Sequence, residues 1–194
     1  METKRCDHKP CRERLGARHA HNARFCSGRC RVAAHRAKQA LPAELTARDR
    51  WVRRTSAKVP VTASGDAASS TDPRTWSSYS KANSSKTGAG LGFVLNGDGI
   101  TCIDLDHCLT GGRLADWARE IVALAPGCWI ERSVSGDGLH IWGRSVMRTG
   151  RRIKIQGGTV ELYPSGRYIA VTGDTWGDTP RRLGELDPLI DTLL

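Results

Sequence analysis

Three short segments of this sequence place acidic or imidazole side chains in strand-like alternation with apolar ones. In TCIDLD, Asp104 and Asp106 alternate with Ile103 and Leu105; further on, His140 stands between Leu139 and Ile141, and Glu161 between Val160 and Leu162. A strand sends successive side chains to opposite faces, so each segment offers one apolar face and one face bearing a reactive group. If the three strands share a sheet, its apolar face packs on helices and the other gathers Asp104, Asp106, Glu161 and His140 in an open cleft. Three carboxylates on one sheet face repel each other unless a cation sits among them. An all-oxygen ligand set favours a hard ion, Mg2+ or Mn2+, which keeps part of its water shell and binds substrate phosphates. Just before His140, the run Ser135-Gly136-Asp137-Gly138 offers close backbone approach and outward N–H groups suited to polyphosphate oxygens, and His140 can reach the same phosphates.

A second constellation is built from sulfur. Cys6 and Cys11, then Cys26 and Cys30, form two short-spaced pairs fourteen residues apart. Such spacing lets each tight turn point two thiolates at one ion, the pattern of a structural tetrahedral zinc site. His8, His19, His21 and His35 are possible substitute ligands. So small and apolar-poor a segment could hardly fold without a metal.

These residues must be positioned by the elements around them. After the second cysteine pair RVAAHRAKQAL reads as a basic helix ended by Pro42, and the domain boundary is placed there, giving modules 1–41 and 42–194. WVRRTSAKVPVT is β-rich and broken at Ala57-Lys58. TDPRTWSSYSKA reads as one helix capped by Thr71 or Asp72, with Pro73 in its first turn. LGFVL and GITCIDLD flank Asn96-Gly97, a strong hairpin signal. GGRLADWAREIVALAPG reads as an amphipathic helix with Leu114, Trp117, Ile121 and Leu124 on one stripe. Strands are expected at WIERSVS, GLHIWG, RRIKI, TVELY and RYIAVTG, and a last helix around 183–194. The fold class is therefore α/β, a mixed sheet with helices against one face, preceded by a small zinc-binding module.

Of the 194 residues, 39% are hydrophobic and 26% charged, which excludes wholesale disorder. The net charge of +10 is unevenly placed: residues 1–60 hold 16 Lys and Arg against 5 Asp and Glu, and the rest of the chain is slightly acidic. A basic segment without an apolar amphipathic face points to nucleic acid rather than to a membrane. Arg29, Arg31, Arg36 and Lys38, beside the second cysteine pair, are the expected DNA contacts. The longest apolar run, IVALAPGCWI, is broken by Pro126 and Gly127 and is too short to span a bilayer. With no secretory signal at the start and cysteines suited to a reducing compartment, the expected location is the cytoplasm. Cys102, Cys108 and Cys128 have no evident partner.

Two resemblances add to this reading. FCSGRCRVAAHRA resembles the end of a short bacterial zinc-ribbon, whose second cysteine pair leads into an Arg-rich helix; here four residues, not two, separate the first pair. The order IDLD, SGDGLH, VELYPSGRYIAVTG is similar to the Prim-Pol (bifunctional DNA primase/polymerase) branch of the archaeo-eukaryotic primase superfamily, from about residue 51 onward; KVPV and ASSTDPRTWSSYSKA also resemble its phage-type members. That resemblance implies an RRM-like catalytic subdomain in which Asp104, Asp106 and Glu161 hold the catalytic metals. It also implies that His140, with the Ser135, Gly136 and Gly138 loop, contacts the phosphates of an incoming dNTP or NTP, and Arg167 is a candidate phosphate or template contact. The implied activity is template-directed nucleotidyl transfer on single-stranded DNA or a primer-template, as a primase subunit or a domain working with a separate helicase. A non-catalytic nucleic-acid-binding protein and a metal-dependent nuclease or phosphodiesterase are the alternatives.

Overall fold

The computed structural model describes residues 4–8, 10–11, 13–38 and 41–194, and for 35–38 the backbone alone. The chain divides into two compact units, Met1–Ala40 and Leu41–Leu194.

In the first unit, a bridge between Arg5 and Arg14 closes a loop that carries the first cysteine pair. Helix α1 (Gly28–Lys38) starts beside Cys26, and the Ser27 hydroxyl accepts the Cys30 N–H at 3.2 Å, satisfying one of the donors a helix start leaves open. The only buried apolar side chain among its described residues is Cys6.

The second unit begins with the short helix α2 (Ala43–Thr46), strands β1 (Trp51–Arg54) and β2 (Pro60–Val61), and helix α3 (Tyr79–Ser84). Strands β3 (Gly90–Asn96), β4 (Ile100–Asp106), β5 (Leu109–Thr110) and β6 (Arg113–Leu114) lead to helix α4 (Asp116–Ala123). Then come β7 (Trp129–Arg132), β8 (Leu139–Arg144), β9 (Arg151–Ile155), β10 (Gly158–Tyr163), β11 (Ser165–Val171), β12 (Gly184–Glu185) and helix α5 (Asp187–Leu193). The strands form two main sheets. One is antiparallel, in the order β11-β3-β1-β2; the other runs β12-β8-β4-β10-β9, with β7 also paired to β8 and only the β12 pairing parallel. The fold is thus mixed α/β with largely antiparallel sheets.

Alternation along the strands of the larger sheet builds two cores. Ile103, Leu105, Ile130, Leu139, Ile141, Val160 and Leu162 face α4 and α5, where they meet Ala118, Ile121, Leu189 and Ile190. The opposite parity, Ile100, Cys102, Trp129 and Trp142, packs on Trp51, Phe93, Leu95, Ile169 and Val171 of the smaller sheet. Trp51, Phe93 and Trp142 interlock edge to face, with centroids 5.1 and 5.9 Å apart.

Four local expectations are corrected. Asn96-Gly97 is no hairpin: β3 pairs with β1 and β11, and β4 with β8 and β10, so both flanks of each strand are taken. Gly97 and Gly99, both with positive φ, turn the chain from one sheet to the other, and Arg50 grips this turn through Asn96 and through Asp98 at 3.1 Å. TDPRTWSSYSKA divides into a 3-10 turn at Pro73–Thr75, capped by Asp72, and a separate α3 capped by Ser78, because Trp76 and Ser77 are extended and Ser77 pairs with Trp51. Leu124 lies past the end of α4 and is 47% exposed, so it does not belong to the buried stripe. Finally, the second face of the larger sheet is not an open cleft, since the smaller sheet packs against it through Ile100, Cys102, Trp129 and Trp142.

Candidate functional site

Strand register turns the alternation into a site. Glu161 on β10 lies opposite Asp104 on β4, Asp104 opposite His140 on β8, and His140 opposite Glu131 on β7. Side chains directly opposite on one sheet face stand about 5 Å apart. One transverse row therefore reads Glu161, Asp104, His140, Glu131, and β9 extends it with Arg152 opposite Glu161. The adjacent row is Tyr163, Cys102, Trp142, Trp129, the inter-sheet core itself. The site is the place where the aromatic interface between the sheets gives way to charge.

Asp104, Asp106 and Glu161 each present a carboxylate oxygen, all within 4.8 Å of one another. Burial first, then the nearby Asp106 and Glu161 charges, push Asp104 up to about 6, although the His140 charge pulls the other way. Glu161 accepts a hydrogen bond from the Tyr163 hydroxyl and pairs with Arg152 at 2.9 Å. Three hard oxygen donors that crowd each other this closely fit a divalent cation such as Mg2+ or Mn2+.

His140 is 5% exposed. Its Nδ1 faces Glu131 at 3.2 Å, and its Nε2 lies 3.8 Å from Asp104, beyond hydrogen-bond reach. An ionised carboxylate only accepts, so Nδ1 carries a proton and Nε2 is the atom turned to the cleft. Burial pulls His140 down, but the hydrogen bond to Glu131 and the charges of Glu131 and Asp104 outweigh it and hold the imidazole above its ordinary value.

The sequence reading missed Glu131, which is completely buried. Besides His140 it accepts N–H bonds from Trp142 at 3.1 Å, Thr172 at 2.9 Å and Gly173 at 2.8 Å. Thr172 and Gly173 follow β11, so this carboxylate ties the two sheets together behind the histidine. The signal was present: in WIER, Glu131 shares parity with Trp129, a charged residue on a face otherwise bound for the core. Lys58 was missed as well. It lies in a left-handed turn between β1 and β2, and its carbonyl accepts the Tyr168 hydroxyl. With Asp104, His140, Tyr163, Arg167 and Tyr168 it lines a cavity of about 240 Å³ in front of the row. Arg167 stacks over the Tyr163 ring at 5.6 Å.

The loop before His140 is more self-contained than expected. The Gly136 N–H donates to the Ser133 carbonyl at 3.0 Å and the buried Gly138 N–H to the Ser133 hydroxyl at 3.2 Å, so neither points outward. A Cβ on Gly138 would lie 2.9 Å from the Leu105 carbonyl, which is why this position needs glycine. Ser135 is exposed and its hydroxyl donates to Asp137, which His107 also holds at 2.6 Å.

In the first unit Cys6, Cys11, Cys26 and Cys30 bring their Sγ atoms within 4.8 Å of one another. Cys11 and Cys26 are 3.5 Å apart, Cys26 and Cys30 3.4 Å, and all four thiols are free. Tetrahedral zinc with Zn–S bonds of about 2.3 Å has S···S edges near 3.8 Å, so the cluster fits that ion. Among the described residues no histidine joins it; His19 Nδ1 accepts the Gly16 N–H at 3.1 Å instead. Arg29 and Arg31 are exposed on α1, while the side chains of His35, Arg36 and Lys38 lie outside the described residues.

A row of acids and a histidine lies on an antiparallel sheet within a mixed α/β fold, and three carboxylates on that sheet fit a metal ion. The chain is 36% identical over 147 residues to the DNA primase-polymerase of Nitratiruptor phage NrS-1, an alignment covering 71% of this chain and 20% of the relative. That similarity supports a relationship to primase-polymerases. The chain thus spans about a fifth of the length of the relative it matches. No protein-family model matches it. Among the described residues no helix is long and apolar enough to cross a membrane.

Proposed function

We propose that this chain is a metal-dependent DNA primase/polymerase that carries out template-directed nucleotidyl transfer, in the setting of phage or plasmid DNA replication. The observation that carries the reading is the register row that puts Asp104 and Glu161 opposite each other, with Asp106 within 4.8 Å and a buried histidine alongside. Asp104, Asp106 and Glu161 hold Mg2+ or Mn2+, which when bound supplies activation of the attacking hydroxyl and charge stabilisation at the leaving oxygen. The chain's own residues do the rest. Nε2 of His140 points at the cavity and donates to a phosphate oxygen of the dNTP or NTP; Glu131 keeps the ring in that orientation. Arg167 and Lys58 add cationic charge on the opposite wall, and Ser135 stands at the exposed tip of the neighbouring loop. A new bond forms between a 3'-oxygen and the α-phosphorus, the bond to the bridging oxygen breaks, and pyrophosphate departs; the hydroxyl proton passes to water.

Cys6, Cys11, Cys26 and Cys30 hold structural zinc in the first unit, and Arg29, Arg31, Arg36 and Lys38 give it charge for single-stranded DNA or a primer-template. A separate helicase is a partner consistent with this role. The deciding experiment incubates the protein with Mn2+, a primed template and labelled dNTPs. Extension supports the proposal. Retention of the strand without change points to a binding protein, and shortening of the strand to a nuclease; either result sinks it.

A further inference from the structure

A second polar cavity, about 410 Å³ in volume, is lined by Arg53 and Arg54 at the end of β1 together with Asn83, Gly90 and Thr172. Both arginines are buried, 9% and 8% exposed, and among the described residues neither has an acidic partner. Among the described residues, Arg53 donates only to carbonyls, of Thr87 at 2.6 Å and Ala82 at 3.4 Å; Arg54 donates to the Thr55 carbonyl at 3.2 Å, and its buried Nε finds no partner among them. Asp174 also touches the cavity, but it is engaged by Arg132 at 3.2 Å.

Arg53 and Arg54 leave opposite faces of β1, yet both line this cavity, and buried guanidiniums that lack a counter-charge are costly, so this arrangement asks for an anion. It is also built. Gly90 lies directly across from Arg54 in the β1–β3 pairing, and a Cβ there would come within 2.7 Å of the Arg54 Nη2 and 2.9 Å of its Cζ. The absent side chain is the slot in which the guanidinium rests. Val134 lines both this cavity and the one in front of Asp104 and His140, so the two are neighbours across a single residue.

We propose that Arg53 and Arg54 form a phosphate-binding pocket, which takes a phosphate group of a nucleic-acid strand, or of a nucleotide, on its way to the carboxylate row. The preference for an oxyanion stands on the arginines alone; that the oxyanion is a phosphate of these ligands rests on the nucleotidyl-transfer reading.

The test uses the full chain as wild type, Arg54→Gln and Gly90→Ala. The second variant keeps both arginines and displaces only the flexible end of Arg54. Fluorescence anisotropy measures binding of a labelled oligo-dT strand across a salt series and, separately, of a fluorescent dATP analogue, with thermal melts to check folding. About tenfold weaker strand binding, with the log–log salt slope flatter by about 0.7, assigns the pocket to the strand. An equal loss confined to the dATP analogue assigns it to the nucleotide. Unchanged binding of both ligands by a variant that melts like wild type overturns the pocket, and if Arg54→Gln does not fold, Gly90→Ala decides on the same criteria. The two readings fail separately: a wild type that never extends a primer, while Arg54→Gln still loses phosphate ligands, leaves the pocket standing and removes the polymerase.

Discussion

The molecule carries two clusters that fit metal ions, and they stand in opposite relation to the structure around them. In the first unit four sulfurs are the core: apart from Cys6, the described residues there bury no apolar side chain. In the second unit three carboxylates sit at the rim of a core that already exists, beside Trp51, Phe93, Trp129 and Trp142, all completely buried. With zinc bound, the first cluster would hold its fold together, whereas the second is a liability that its fold tolerates. A structural zinc site contributes folding free energy outright, on the order of 10 kcal/mol or more, while crowded carboxylates subtract from stability until a cation arrives. Metal should therefore decide whether the first unit folds and only whether the second one works.

The sharpest way to break this contrast is to remove metal. Protein prepared without chelator should contain one zinc per chain. A strong chelator, or Cys26→Ser, should abolish hydrogen-exchange protection in 4–38 while leaving that of 41–194 intact. Loss of protection in both regions, or in neither, would defeat the contrast.

The converse holds at the carboxylates. Asp104→Ala or Asp106→Ala should lower nucleotide incorporation by roughly three orders of magnitude or more, because each deletes a metal contact worth several kcal/mol in the transition state. Neither should lower the melting temperature of metal-free protein. Asp104→Asn should raise it, and pH gives the sign. A carboxyl held near 6 in the fold, against an ordinary 3.8, weakens the fold above pH 6, where both states are ionised. That penalty disappears as pH falls toward 4 and the folded state takes up its proton. The gain from Asp104→Asn should accordingly be clear at pH 7.5 and absent near pH 4, in melts run with chelator.

Glu131 tests whether every acid in the row behaves alike. Unlike Asp104 it is saturated with N–H donors and spans both sheets, so Glu131→Ala should destabilise the second unit by about 3 kcal/mol, as removing one partner from a buried charged pair does. Glu131→Gln keeps the shape but not the charge that orients Nδ1. Its main effect should be on nucleotide use, a rise in KM for dNTP of about tenfold with a smaller change in kcat, matching His140→Ala. A Gln variant that loses stability without moving KM would make Glu131 a structural strut only.

What could be read in advance from the sequence, and what could not, follows the same physics. Alternation is local, and the strands at 100–106, 139–144 and 158–163 carry it plainly, so the face shared by Asp104, Asp106, His140 and Glu161 was legible before any pairing was known. Pairing is not local. Asn96-Gly97 has hairpin chemistry, yet β3 and β4 found better partners on both flanks, and the turn became a crossing between sheets. That crossing lays a second sheet against the face that carries the site, which no alternation pattern announces, and leaves the histidine buried. Glu131 went unnoticed for the same reason, since its partners Thr172 and Gly173 are more than forty residues away in the chain. The four-cysteine cluster was legible because metal-ligand spacing is again a local signal.

The smallest effect concerns the charge of the first unit. Residues 1–60 hold the chain's whole positive excess, and in α1 the exposed Arg29 and Arg31 follow the second cysteine pair. A solvated basic helix and a strand-binding one look the same at rest, but they differ in what salt does to them. A side chain that neutralises a phosphate of single-stranded DNA releases a counterion, so its loss flattens the slope of log affinity against log salt by about 0.7 per contact. Arg29→Ala with Arg31→Ala should flatten it by about 1.4 and leave zinc content and the melting of the second unit unchanged, because neither side chain ligates metal or packs in a core. Primer extension at saturating template should also persist, since the carboxylate row lies in the other unit. An unaltered slope would take DNA out of this helix's roles and leave its arginines to solvent or to a protein partner such as a helicase.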